Sequence, residues 1–158
     1  MPELCAAVAL AQLEKLDQLV SLRTQVASHF TEALGGCPWL TPQHVPSGFQ
    51  HSFWTYVLQL RNSAFTWRDF RSKYIELGGD PIYGAWRLTY LEPVFYEKKL
   101  TATQTQAYRA GLCPVAEALQ PRLLQFKTNY YDLEIARRKA AALRLTIEWF
   151  DRSTRLGN

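Results

Sequence analysis

The stretch MPELCAAVALAQLEKL, residues 1–16, decides how the rest of the chain is arranged. Pro2 suits a first helical turn and Gly35-Gly36 supplies a stop, so the pattern predicts one long helix from Pro2 to about Leu34. In its later part Leu16, Leu19, Val20, Val26, Ala27, Phe30 and Leu34 recur at three- and four-residue steps. Glu14, Asp17, Gln18, Arg23 and Gln25 fall largely off that stripe, which makes this part an ordinary amphipathic helix. Leu4 to Ala11 differs, because it is apolar around the whole helix circumference. A helix apolar on every side is buried on every side, and 158 residues cannot easily surround the end of their own first helix. The stretch therefore predicts a cover supplied by other protein; the alternative is that small alanines tolerate solvent.

Beyond Gly36, Pro38, Pro42, Pro46 and Gly48 mark an ordered loop. His51 to Leu60 reads as a strand rich in aromatic and β-branched residues, apolar on both faces and so central in a sheet. Thr66 and Asp69 resemble a capping box, opening a helix to Leu77 that Gly78-Gly79 stops. A short strand is expected around Pro81 to Ala85. Tyr83, Trp86, Tyr90, Phe95 and Tyr96 crowd an irregular segment, where such rings either line a site or interface or roof a small core. Pro114 opens a short helix to about Leu119, Arg122 to Phe126 suits a strand, and Asp132 caps a last helix to about Phe150. Leu133, Ala136, Ala140, Leu143, Ile147 and Phe150 form its buried stripe. This order is α+β: a small antiparallel or mixed sheet packed against helices. It makes one domain over 1–158, with the long helix over 1–36 and an α+β body over 37–158.

Composition narrows the function classes. Hydrophobic residues make up 47% and charged residues 20%, which excludes a disordered chain. The longest apolar run is far short of the roughly 20 residues a membrane span needs, so no membrane partner is expected. No secretory signal opens the sequence, and three widely spaced cysteines (Cys5, Cys37, Cys113) argue against a disulfide framework. Both point to a soluble protein of the cytoplasm. Cys5 and Cys113 suit core or helix-start packing, and His29, His44 and His51 lack metal-ligand spacing, so no metal is expected. His51 suits a structural role. The net charge of +4 is unevenly spread: residues 1–36 carry two cations against four anions, residues 120–158 eight against four. The basic stripe (Arg137, Arg138, Lys139, Arg144, Arg152, Arg155) reads as a solvated face with pairs such as Glu134 with Arg138. Phosphate-backbone binding is the weaker reading, since no nucleic-acid motif accompanies it.

No phosphate-cradling glycine loop, GxSxG elbow or HExxH is present. What is present is MPELCAAVALAQLEKL with the following Arg23, HSFWTYV over 51–57, ELGGDPIY over 76–83 and CPVAE over 113–117. In this order and spacing the chain resembles the DegT/DnrJ/StrS aminotransferases, the pyridoxal-phosphate (PLP) enzymes that typically aminate nucleotide-linked keto-sugars. The resemblance covers nearly the whole chain but only the C-terminal part of a family member. It implies the small domain of a fold-type I PLP-dependent transferase. It further implies that the large cofactor domain, its Schiff-base lysine and the asparagine-x-arginine segment before the methionine-proline-glutamate stretch are absent.

The residues agree with that implication. Schiff-base chemistry needs a desolvated or electrostatically tuned lysine, and Lys15, Lys73, Lys98, Lys99, Lys127 and Lys139 offer none in the family's context. No cofactor is expected on this chain alone, and no catalytic residue. The resemblance places Tyr83-Gly-Ala-Trp-Arg87 where family members carry a tyrosine-proline-proline-leucine-histidine stretch near the substrate entrance, making Tyr83, Trp86 and Arg87 the substrate-side candidates. Here Gly84-Ala85 replaces the prolines and Arg87 the histidine, and arginine's planar fork suits phosphate or carboxylate. The expected partner, through Leu4 to Ala11, is a second copy or a chain supplying the large domain. The alternative is a non-catalytic module docking on an intact aminotransferase.

Overall fold

The computed structural model describes residues 1–97 and 108–156, without the side chains of 96, 97, 155 and 156. Lys98, Lys99, the ring of Tyr96 and the side chain of Arg155 lie outside the described residues. The single helix expected over residues 2–34 is two helices, α1 (Glu3–Leu13) and α2 (Leu16–Leu34). At the junction Lys15 sits at φ −106° and ψ 4°, in the sparsely populated bridge region, and its N–H bonds back three residues to Gln12. That tightened turn ends α1 with no glycine or proline to announce it.

The two helices meet opposite fates. None of α1 is buried, whereas α2 buries Val26, Ala27, Phe30, Ala33 and Leu34. Of the expected α2 stripe, Leu16 is exposed and Leu19 and Val20 are only half-buried. Cys5, expected in packing, is exposed because it sits on the unpacked α1. Gly35 closes α2 at φ 56°, a left-handed conformation that favours glycine.

Four antiparallel strands follow, β1 (Leu40–Pro42), β2 (Thr55–Leu60), β3 (Tyr83–Gly84) and β4 (Leu123–Lys127), in the spatial order β1-β2-β4-β3. β1 lies in the stretch expected to be a loop; as an edge strand it tolerates Pro42. β2 is central, as expected, but starts at Thr55 rather than His51. Phe53 takes φ 48° and its N–H donates to Nδ1 of His51 at 2.7 Å, forming a turn that delays pairing. β2 also alternates rather than burying both faces: Tyr56, Leu58 and Leu60 point inward, while Thr55, Val57 and Gln59 are half-buried on the other side.

Three helices cover the inward face: α2, α3 (Trp67–Glu76) and α6 (Leu133–Leu156). Phe126 of β4 stands among Phe30, Phe70 and Tyr74 at ring separations of 5.3–6.5 Å, and Phe150 stacks on Phe65 and Phe70. The α3 capping box forms as expected: Asp69 accepts from the Thr66 N–H at 2.8 Å, and its own N–H reaches Thr66 Oγ1. Asp132 accepts the Glu134 N–H at 2.8 Å at the start of α6, whose expected stripe is buried from Ala136 to Phe150. Glu134 pairs with Arg137 at 3.2 Å, a different partner from the expected Arg138. The short helices α4 (Pro93–Glu97) and α5 (Pro114–Leu119) and two 3-10 turns, Thr89–Leu91 and Gln120–Arg122, complete the described elements. No described helix is long and apolar enough to cross a membrane.

Candidate functional site

Among the described residues α2, α3 and α6 pack on one face of the sheet, and the other face leaves Thr55, Val57, Gln59 and Gln125 half-buried and Tyr83 and Lys127 exposed. Period-two alternation directs Thr55, Gln125, Lys127 and Tyr83 to this second face, and the register sets Thr55 opposite Lys127 and Gln125 opposite Tyr83. A groove of about 790 Å³ crosses this face at the β2 start and β4 end. Trp54 just before β2, Tyr83 of β3 and Trp86 just after it flank the groove, respectively 68%, 68% and 75% exposed. Three large rings left this open on a surface that also carries an ammonium suit a ligand with a planar or sugar ring and negative charge.

Arg23 of α2 closes one end. Its guanidinium donates to the Trp54 carbonyl at 2.8 Å and to Thr128 Oγ1 at 3.2 Å. The buried Thr128 hydroxyl in turn lies 2.6 Å from the Phe53 carbonyl and 3.0 Å from that of Trp54. The arginine therefore ties the entry of β2 to the exit of β4 and holds Trp54 at the rim. Lys127 extends from the end of β4 with its ammonium 4.7 Å from the centre of the Tyr130 ring.

The opposite wall, residues 80–86, is fastened at three points. Arg71 Nε donates to the Ile82 carbonyl at 2.9 Å, and Gln120 Nε2 to that of Ala85 at 2.8 Å. Asp80 accepts from the Tyr130 hydroxyl at 2.5 Å and pairs with Lys139 at 2.8 Å. Burial opposes the Asp80 charge, but these two bonds and the charges of Lys139 and Lys127 outweigh it and hold the carboxyl below its ordinary range. Gly84 brings the backbone against Trp67, where an added Cβ would stand 3.0 Å from the indole.

The aromatic segment beyond the wall splits between the two readings left open. Tyr83 and Trp86 face the groove, whereas Tyr90 donates to Glu117 at 2.5 Å and Phe95 packs on Tyr108. Glu117 also accepts the Gly111 N–H at 2.9 Å, so the CPVAE stretch serves the folding of its own loop. Burial and the bond to Glu117 push the Tyr90 phenol up to about 12.

Of the three candidates, the groove unites Tyr83 and Trp86; Arg87 follows them, exposed and outside the groove lining. Trp54, Gln125 and Lys127 join the site without having been singled out. For Gln125 and Lys127 the signal was the alternation of β4, readable once the inward residues are known; Trp54 precedes β2 and follows no such period.

The described residues do not fit a PLP site. Lys73 pairs with Glu76 at 2.6 Å and Lys139 with Asp80, while Lys15 and Lys127 are exposed. Each of these amines is held by a carboxylate or open to solvent, and none sits in the desolvated setting a Schiff-base lysine needs.

The sequence model of the DegT/DnrJ/EryC1/StrS aminotransferase family matches residues 1–129. The UDP-4-amino-4-deoxy-L-arabinose–oxoglutarate aminotransferase of Shewanella sediminis (strain HAW-EB3) is 30% identical over 61 residues, 39% of this chain and 16% of that one. PseC of Helicobacter pylori, an aminotransferase involved in the biosynthesis of pseudoaminic acid, superposes with a TM-score of 0.69 at 19% identity, covering 90% of this chain and 36% of that one. The Escherichia coli GDP-4-keto-6-deoxy-D-mannose-3-dehydratase, solved with bound hydrated PLP, gives 0.60 at 18% identity, covering 89% and 34%. The chain thus spans about a third of the length of these solved proteins.

Proposed function

The chain belongs to the DegT/DnrJ/EryC1/StrS aminotransferase family, and from that membership we propose that it acts as the C-terminal small domain of a PLP-dependent aminotransferase of nucleotide-linked sugars, unable to transaminate alone. Tyr83, Trp86 and Arg87 are its substrate-side residues, with Trp54 and Lys127 across the groove. The rings supply stacking surface for a base or sugar, and the Lys127 ammonium supplies charge for phosphate or carboxylate in the groove, with Arg87 just beyond its lining. The cofactor and its lysine come from a large domain held in the cytoplasm with it.

One observation carries this reading: Leu4, Val8, Leu10 and Leu13 of α1 are 57–77% exposed on a helix that buries nothing in its own domain. Covering each such side chain is worth roughly 1.5–3 kcal/mol, enough together to hold a large domain or an aminotransferase chain against it. Reduction of the purified chain with borohydride in the presence of PLP is expected to trap no lysine adduct; a stoichiometric adduct overturns the inactivity. A second reading, a non-catalytic module docked on an intact aminotransferase through the same helix, rests on the same exposure. Co-purification with a large-domain chain of the family, lost in Val8→Asp or Leu10→Asp, supports the first reading. Co-purification only with the intact enzyme favours the second, and a monodisperse monomer beside either overturns both.

A further inference from the structure

The root of the groove wall carries a charge cluster that this reading does not use. Asp80 belongs to the groove lining, three residues before Tyr83, and its carboxylate meets the Lys139 ammonium at 2.8 Å and the Tyr130 hydroxyl at 2.5 Å. The same ammonium donates to the Gly78 carbonyl at 3.0 Å, so Lys139 binds the turn on both sides of Gly79. Tyr74 donates to the Lys139 carbonyl at 3.1 Å, which fixes this turn of α6 over the end of α3. Both charged side chains are mostly covered, at 22% and 26% exposure. Tyr130 and Lys139 lie beyond the residues that match the family's sequence model, 1–129, whereas Asp80 and Gly78 lie within them, so the cluster joins the matched part of the chain to the stretch after it.

We propose that Lys139 is a positioning residue for the groove, acting through Asp80. It neutralises a carboxylate that would otherwise stand in the lining of a site meant for an anion, and it sets the turn from which Tyr83 and Trp86 extend. Lys127 is a second cation whose charge acts on Asp80. Without Lys139, Asp80 draws Lys127 toward itself, and the groove loses the ammonium that faces a phosphate while gaining a negative charge. An apolar side chain at position 139 would leave the carboxylate covered and unpaired, and the turn would shift to hydrate it. This proposal rests on the reading of the groove as the substrate side.

Two measurements on the full chain keep the proposal and that reading apart. The first uses no ligand: the rate of trypsin cleavage after Arg87, followed by mass spectrometry, reports the order of the wall. Lys139→Met is expected to raise it about fivefold without changing the rate after Arg152; equal rates after Arg87 overturn the positioning. The second titrates uridine diphosphate against tryptophan fluorescence. Lys139→Met is expected to weaken binding about tenfold, Lys139→Arg to restore it, and the double variant Lys139→Met with Asp80→Asn to restore most of it. Rescue by removing the second charge is not expected of a residue that only props the fold, so a double variant as weak as Lys139→Met overturns the electrostatic role. Should Lys139→Met not fold, Asp80→Asn alone replaces it in the cleavage assay. If the unsubstituted chain does not bind uridine diphosphate, the groove reading fails while the cleavage rates still decide the positioning.

Discussion

α1 and α6 are both helices with abundant alanine and leucine, yet they stand at opposite ends of the burial scale. α6 places Ala136, Ala140, Leu143, Ile147 and Phe150 against the sheet and α2, each 0–6% exposed. α1 has a comparable supply of apolar side chains and buries none of them. The difference lies in arrangement: α6 segregates its apolar residues to one stripe, which a single packed face satisfies. α1 spreads them around the helix, so one contact could never cover them. Distribution around the axis thus separates a helix that completes its own core from one that no single packed face of this domain could cover.

The sharpest way to break this comparison is to delete matched side chains from the two helices. Leu143→Ala opens a cavity in a fully buried site and is expected to cost about 3 kcal/mol of unfolding free energy. Leu10→Ala, on a residue 59% exposed, is expected to stay within about 0.5 kcal/mol. Urea midpoints at constant m-value read both. Equal losses would mean that α1 packs in solution against its own domain, and the argument for an external cover would fall.

This contrast was legible in the sequence, because the helix period is local and each residue reports its own face. So were the α3 capping box, the Pro114 helix start and the two central strands, all set by residues within a few positions of one another. The break at Lys15 was not, since a bridge-region φ/ψ at a lysine leaves no compositional mark. Nor was β1, where the prolines that suggest a loop are compatible with an edge strand. The candidate site was legible only in part. Tyr83 and Trp86 came from a family likeness, whereas Arg23, Trp54 and Lys127 reach one groove from α2, the start of β2 and the end of β4. Only the antiparallel register of β2 with β4, a pairing across some seventy residues that nothing local specifies, brings them together.

A second substitution sharpens the comparison where α3 meets α6. Gly79 lies on the Tyr74 ring so closely that a Cβ would stand 2.4 Å from it, and Tyr74 is 1% exposed. Gly79→Ala must push that ring toward α6, loosening its bond to the Lys139 carbonyl, and is expected to cost about 2 kcal/mol in the same urea experiment. Ala9→Gly in α1 meets no neighbour from the body. It lowers helix propensity by about 1 kcal/mol locally, visible as faster amide exchange in α1 but not as a moved midpoint.

The smallest effect separates the two helices by pH. Asp80 holds its carboxyl below the ordinary value of 3.8 because, against the opposing effect of burial, Lys139 and Tyr130 bond to the charged form. A depressed folded-state pKa supplies stability that is fully present above the unfolded value and disappears as pH falls through the folded one. Acidification below about pH 4 should therefore loosen the α6 contact with the turn at Gly78 while leaving α1, which has no described ion pair, unaffected. Amide exchange measured on the two helices from neutral pH downward, corrected for the intrinsic pH dependence, should show protection falling in α6 near Lys139 first. In Asp80→Asn that acid-dependent loss should vanish, because the asparagine has no proton to gain. An acid loss that persists in Asp80→Asn would assign it to another carboxylate and detach the α6 anchor from the charge of Asp80.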